Sequence, residues 1–329
     1  MKITLPAIGL AGLLVLAGCG GNLGSDGDSG ATAAYPERAV TLLIGQDAGG
    51  STDLIGRALA DPASRDLGQP ITVQNRPGAN GAVAAKELAA AENDGYTLMV
   101  FVGSLAYITP LAVPADQAVD INDYEVVSGI SQDDFVLITH PKTGFKTIKD
   151  LVGAKRPIKF ATTGVGTGSQ LTQTLLFAQA GVDATAVPFN GGAPALTAVL
   201  GAQVDVAAVQ LGEAKEQIEA GKAVPLVTFA TQRPSYMPDT PTATEAGYNV
   251  PVQQSRAVVA PKGTPKEVLD RLRAAFQKGF AEQAYRDFNA KRLLTANEVD
   301  GAALRRQWNG SLETYRGLVD QYQINLSGK

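Results

Sequence analysis

The residues best placed to do chemistry in this chain are glycines and hydroxyls. Gly45-Gln-Asp-Ala-Gly-Gly-Ser-Thr-Asp53 sets Ala48, Gly49 and Gly50 ahead of Ser51, Thr52 and Asp53. The two glycines let the backbone bend and a ligand approach closely. Ser51 and Thr52 can cap the start of a following helix, and their hydroxyls can also donate outward. A helix start carries free amide N–H groups and a partial positive charge, so it attracts an anion without Lys or Arg. Asp53 falls in the first turn, where a carboxylate favours the dipole; capping is its simpler role and ligand contact the other. Two further loops share this logic: Gly164-Val-Gly-Thr-Gly-Ser169, with Gly166, Thr167, Gly168 and Ser169, and Phe189-Asn-Gly-Gly-Ala-Pro194, with Asn190, Gly191, Gly192 and Ala193. Taken singly, each is also what an ordinary turn looks like.

The catalytic inventory is thin. The single histidine, His140, precedes Pro141 at the end of an apolar run, where a structural role is the simpler reading. Asp133-Asp134 reads as a solvated turn. Neither a Ser-His-Asp set, a GxSxG elbow nor a metal-ligand cluster stands out. Gly164 to Gly168 is GxGxG rather than GxGxxG, with no acidic partner in place, so a dinucleotide is not expected; GKS/T is absent as well. No cofactor and no metal are expected, and the chain reads as a non-enzyme. A surface enzyme would have to use His140 with Asp133 or Asp134. A formal net charge of −4 argues against a nucleic-acid partner.

Loops of this kind need strands and helices to aim them. Apolar runs at 40–44, 71–74, 96–102, 135–139, 158–161, 185–188, 204–209 and 224–230 read as strands. Helical patterns occupy 53–67, 81–91, 169–179, 194–200, 213–220, 266–283 and 301–322, and one starts at 147. Alternation at this spacing implies right-handed βαβ units and mostly parallel sheets, with ligands at the carboxyl ends of the strands. The third strand ends in Gly103-Ser104. Val136-Leu-Ile-Thr-His-Pro-Lys and Val258-Val-Ala-Pro-Lys-Gly-Thr-Pro echo one another. They read either as a pair of hinge strands or as two ordinary strand–turn–helix units. Asn75-Arg76-Pro77-Gly78 reads as a turn, with the rim of a cleft as the alternative.

The amino terminus has its own chemistry. Lys2 precedes a largely apolar stretch at 3–16 that is short for a membrane span, and Leu16-Ala17-Gly18-Cys19 matches a lipobox. Residues 1–18 are therefore expected to be a lipoprotein signal peptide, with the thiol of Cys19 accepting a lipid. Cys19 is the sole cysteine of the 329 residues. Residues 19–34, rich in Gly, Ser, Asp, Ala and Thr, cannot bury a core and read as a flexible tether. The protein is then extracytoplasmic and lipid-anchored, at the cell surface or the periplasmic face.

An ordered set of short motifs adds a further layer. Tyr35-Pro36, Ala48-Gly-Gly-Ser-Thr-Asp53, Leu67-Gly-Gln-Pro70, Asn75-Arg-Pro-Gly-Ala79 and Asp94-Gly-Tyr-Thr97 come first. Val187-Pro-Phe-Asn-Gly-Gly-Ala-Pro-Ala195, Gly201-Ala-Gln-Val-Asp205, Pro241-Thr-Ala-Thr-Glu245 and Val259-Ala-Pro-Lys-Gly-Thr-Pro265 follow. Here the chain resembles the Bug, or TctC-like, extracytoplasmic receptors of tripartite tricarboxylate transporters, from Tyr35 to the last helix. The resemblance implies an α/β fold of two lobes, the type II periplasmic-binding-protein or Venus-flytrap architecture. It divides the chain into a first lobe at 35–127, a second at 128–228, and a return to the first at 229–329. It implies a small organic carboxylate ligand held by residues 48–53, 164–169 and 190–193, and permease subunits as membrane partners; Gly103 and Ser104, at the end of the third strand, are further ligand-binding candidates. A receptor feeding a signalling protein is the other possibility. Two departures bear on the ligand. Gly45-Gln46-Asp47 stands where members often carry Pro-Phe, which sets an acid beside the anion loop. Ser255 stands where members often carry Trp, and is followed by Arg256, which either pairs with a ligand carboxylate or is a surface charge on a hinge strand.

Overall fold

Buried apolar runs and the helices between them close into two five-stranded sheets. The computed structural model describes residues 35–327; the residues read above as a signal peptide, a lipidated Cys19 and a tether lie outside the described residues. The chain enters through β1 (Val40–Ile44), α1 (Ser51–Leu67), β2 (Ile71–Asn75), α2 (Ala82–Ala89) and β3 (Thr97–Val102). The near-continuous burial of β1 and β3 is that of parallel strands covered on both faces. A short helix, α3 (Ser104–Tyr107), follows β3, and β4 (Tyr124–Asp133) forms the far edge of the same sheet.

The second sheet opens at once with β5 (Phe135–Thr139). It continues through α4 (Ile148–Val152), β6 (Ile158–Thr162), α5 (Gly168–Ala180), β7 (Ala184–Pro188) and α6 (Gly192–Leu200). β8 (Val206–Gln210), α7 (Leu211–Glu219) and β9 (Val224–Thr228) complete it. The chain then returns to the first sheet as β10 (Gln254–Pro261), followed by α8 (Lys266–Ala281), α9 (Gln283–Arg292) and α10 (Gly301–Gln321).

The strand orders correspond: β2-β1-β3-β10-β4 and β7-β6-β8-β5-β9. In each, the strand that has just crossed from the other lobe, β10 or β5, is the antiparallel one. The sheets are thus mixed but mostly parallel, in a two-lobe α/β architecture.

The crossings differ from the expected divisions. A change of lobe at 128 would cut β4 in half; the chain changes sheets at Asp134. Ser128, Gly129 and Ser131 interrupt the apolar run of β4 and hide it in the sequence. Its outer edge is covered by 295–299, with Gln132 N–H bonded to Thr295 O at 2.9 Å and Gly129 N–H to Val299 O at 2.8 Å. Nor does the return begin at 229. Thr228 N–H bonds Pro241 O and Ala243 N–H bonds Thr228 O, which keeps this stretch on the second lobe. The Val136 and Val258 strands do not pair as hinge strands, because β5 and β10 belong to different sheets. Instead β10 pairs with β4, Gln254 opposite Asp133, and Gln253 Nε2 donates to Asp134 Oδ1 at 2.7 Å beside the crossing.

Packing follows the faces of these elements. Ile55 and Leu59 of α1 meet Leu272 and Phe276 of α8 beneath the first sheet. On the other side, Phe101 stacks on Trp308 at 5.7 Å, and Tyr107 meets Tyr315 at the same separation. This core continues through Phe135 to Leu171 and Phe160 of the second lobe. The segment after α10 also reaches that lobe, where the buried Leu326 accepts a bond from Gln170 Nε2 at 3.0 Å.

Candidate functional site

The parallel strands of both sheets end at one crevice between the lobes. The first lobe lines it with Gln46 after β1, Gly50, Ser51 and Thr52 at the start of α1, Asn80, Val102 at the end of β3, and Gln254. From the second lobe come Thr163 after β6, Gly191 and Gly192 at the start of α6, Gln210 at the end of β8, and Glu213. The crevice measures about 30 Å³, the scale of one or two water molecules. Bonds across it draw the lobes together. Asp47 N–H donates to Asn190 O at 3.0 Å, and Ser51 N–H to Glu213 Oε1 at 2.7 Å. Asn80 Nδ2 and Thr109 Oγ1 both donate to Gly166 O, each at 3.1 Å.

Two helix starts face each other here. The residues before α1 and α6 are Gly50 and Gly191, and neither helix has a side-chain cap. A Cβ placed on Gly50 would stand 3.7 Å from the amide nitrogens of both Gly192 and Ala193. Gly191 has φ 129° and ψ −179°, a backbone region essentially confined to glycine. Opposed helix starts give a cluster of N–H donors and two positive dipole ends, the arrangement that holds an anion.

The loop at 45–53 is braced from behind. Asp53, buried, accepts from Gly49 N–H at 2.9 Å, Arg57 Nε at 3.0 Å and Asn75 Nδ2 at 3.0 Å. Burial alone would raise its carboxyl, but the bonds from Arg57, Gly49 and Asn75 prevail and hold it below the usual carboxylate range. Its contacts are those of a brace, and it does not line the crevice. Ala48 and Gly49 are exposed, outside the lining. Asn75 also donates to Gln46 O, so this turn residue supports the loop, whereas Arg76 pairs with Glu87 on the surface.

Other sequence candidates support the walls from further back. Gly103 N–H bonds Ser255 O, and Ser104 Oγ accepts from Asn80 Nδ2 at 2.9 Å. Gly166 offers its carbonyl across the crevice, and Thr167 caps α5 by accepting from Gln170 N–H. Gly168 packs on the Phe135 ring, and Ser169 Oγ donates to Ala208 O, fully buried. Asn190 contributes its carbonyl to the bond from Asp47.

Arg256 overturns the surface-charge reading. Its side chain is 0% exposed; it pairs with Asp133, donates from Nη1 to Ser131 Oγ at 3.2 Å, and from Nε to Thr52 Oγ1 at 3.0 Å. Its charge is thus spent beneath α1. Asp133, read from the sequence as a solvated turn, is buried for the same reason: an inward carboxylate needs this partner. Burial pushes that carboxyl up, against the pull of Arg256, Ser131 and Thr295 N–H. His140 lies at the far end of β5. Phe135 pairs with Gln210 of the crevice, so His140 is five residues away along the strand, about 17 Å. A catalytic pairing of His140 with Asp133 or Asp134 is therefore excluded.

Gln46, Asn80, Val102, Thr163, Gln210, Glu213 and Gln254 are lining residues outside the sequence candidates. Asn80 left a signal: at φ 57° it occupies the left-handed region that Asn tolerates, just after Pro77-Gly78. Glu213 lies three residues after Gln210, a capping-box spacing, but nothing local indicates its reach to the other lobe. Burial pushes its carboxyl up, while the Ser51 bond and the Arg256 charge pull it back.

Comparison with known proteins places these lobes. A family model described as the tripartite tricarboxylate transporter family receptor matches residues 55–314. The "UPF0065 protein in gbd 5'region" of Cupriavidus necator is 32% identical over 264 residues, 78% of this chain and 79% of the relative. The periplasmic binding protein BugD has a TM-score of 0.82 at 28% identity, over 88% of this chain and 99% of its own. MatC from Rhodopseudomonas palustris, solved with bound malate, has a TM-score of 0.82 at 27% identity, over 87% of this chain and all of its own, 100%. With the family model spanning both lobes and these folds superposing on them, the chain belongs to the tripartite tricarboxylate transporter receptor family.

Proposed function

We propose that this protein is an extracytoplasmic receptor that captures a small carboxylate between its lobes and delivers it to the membrane subunits of a tripartite tricarboxylate-type transporter. The observation that carries the reading is the pair of uncapped helix starts, α1 and α6, opposed across the crevice. Two dipole ends and a set of amide donors complement a carboxylate without a free cation. The malate bound by MatC supports the same ligand class. A ligand that contacts both lobes in the closed form stabilises that form, and the liganded closed form is what a permease can read. A lipid on Cys19 and the tether at 19–34 would keep the binding body near that partner and raise its effective concentration there.

Isothermal titration of the mature protein against citrate, malate, succinate, glutarate and aromatic carboxylates tests the ligand class. Saturable heat with at least one of them is expected. Absence of both heat and thermal shift across the panel would sink the carboxylate reading. For the anchor, Cys19→Ser is expected to move the protein from the membrane to the soluble fraction.

A further inference from the structure

The crevice already contains a carboxylate that belongs to the protein. Glu213, the third residue of α7 in the second lobe, places Oε1 2.7 Å from Ser51 N–H, the first amide of α1 in the other lobe. Its Oε2 accepts from Gln210 N–H at 3.3 Å. A helix-capping role explains the second bond but not the first, which crosses between lobes. The neighbouring glycines make room for this group. A Cβ on Gly192 would fall 2.2 Å from Glu213 Oε2, and one on Gly50 would stand 3.6 Å from Oε1. Glu213 thus lies between the two uncapped helix starts, where amide donors and dipole ends favour an anion.

A buried polar atom of the crevice lining stays unpaired. Gln46 Oε1 has no partner, although its Nε2 donates to Asn80 O, which fixes the orientation of the amide. Buried polar atoms are nearly always satisfied, so this arrangement leaves hydrogen-bonding capacity for a second occupant.

We propose that Glu213 is a built-in competitor of the ligand: its carboxylate takes the α1 amide from across the crevice, holds the lobes together, and is displaced when a ligand carboxylate binds. The inference rests on the carboxylate reading of the crevice for its last step only. Competition sets a threshold, because a ligand must replace an internal bond as well as make its own contacts. The apparent affinity is then reduced by the fraction of molecules in which Glu213 has released α1.

The test compares the mature protein with Glu213→Ala and Glu213→Gln, with circular dichroism confirming that each folds. Small-angle scattering without ligand reports the lobes directly. The native protein is expected to be compact, Glu213→Ala to expand, and the isosteric Glu213→Gln to fall between. Superimposable ligand-free curves for all three would overturn the proposal. In titrations with malate and citrate, Glu213→Ala is expected to bind about tenfold more tightly than the native protein, since the competing state is removed. Weaker binding by Glu213→Ala would make Glu213 a ligand contact and would also overturn the proposal. Should no carboxylate bind any of the three while Glu213→Ala still expands, the closing contact stands and the carboxylate reading falls.

Discussion

The starts of α1 and α6 differ from that of α5, although all three follow glycine-rich loops. Thr167 stands before α5 and its hydroxyl accepts from Gln170 N–H, so that helix satisfies an end amide of its own. Gly50 and Gly191 stand before α1 and α6 and offer no such oxygen. The self-capped helix packs its first residues into the core, with Ser169 on Ala208 O and Gly168 on Phe135. The uncapped pair lines the crevice. Glycine content marks a place where backbone can come close to something; the capping residue decides whether the amide groups there remain available.

The comparison can be broken from the largest expected effect downward. The start of α1 is held from beneath through Thr52, Arg256 and Asp133. Asp133→Ala would leave Arg256 buried without its partner, at a cost of about 3–5 kcal/mol, read from urea unfolding midpoints. A loss below about 1 kcal/mol would mean that α1 does not depend on this pair. Asp53→Asn weakens the brace behind the same loop, with an expected loss of about 1.5–3 kcal/mol at pH 7. Because the folded Asp53 carboxyl titrates below its usual range, its stabilisation is present above the unfolded value, about 3.9, and disappears as pH falls through the lower folded value. Unfolding midpoints recorded from pH 6 down to pH 2.5 should lose this increment only below about pH 4, and the increment should be missing from Asp53→Asn.

Gly191→Ala forces a side chain into a glycine-only region and should cost about 1–3 kcal/mol. It should also abolish titration heat, because the α6 amides turn away from α1. Thr167→Ala is the contrasting change. It removes a cap for about 1 kcal/mol and should leave the binding constant for any carboxylate that binds the native protein within about twofold. A large loss of affinity in Thr167→Ala would erase the distinction between capped and uncapped starts. The single tryptophan, Trp308, donates to Ser255 Oγ at 2.9 Å beside β10, so its fluorescence offers an independent readout for each titration.

Much of the fold was legible because parallel strands buried on both faces leave continuous apolar runs, as in Val40-Thr-Leu-Leu-Ile44. β4 was not, since its serines and glycine serve a covered edge against 295–299 rather than an apolar layer. The continuous helix read over 266–283 gives way at Glu282, whose φ −68° and ψ 137° are extended, and α9 begins after it. Of the site, Ser51, Thr52, Gly50, Gly191 and Gly192 were visible as helix-start chemistry. Gln254, Thr163 and Glu213 were not, because a lone polar residue at a strand end or in a first helical turn carries no local mark of what lies across the crevice.

The amino-acid sequence by itself determined the alternation of strands and helices, the loops that start helices on glycine, and the motif order shared with the receptor family. These follow from periodicity, capping chemistry and short spacings, which act within a few residues. Tertiary structure alone decided which glycine loops meet, that Arg256 lies buried against Asp133, 123 residues earlier, and that Glu213 reaches Ser51, 162 residues away. Charges and amides so far apart in the chain acquire a sign and a partner only when the two sheets bring their carboxyl ends to the same crevice.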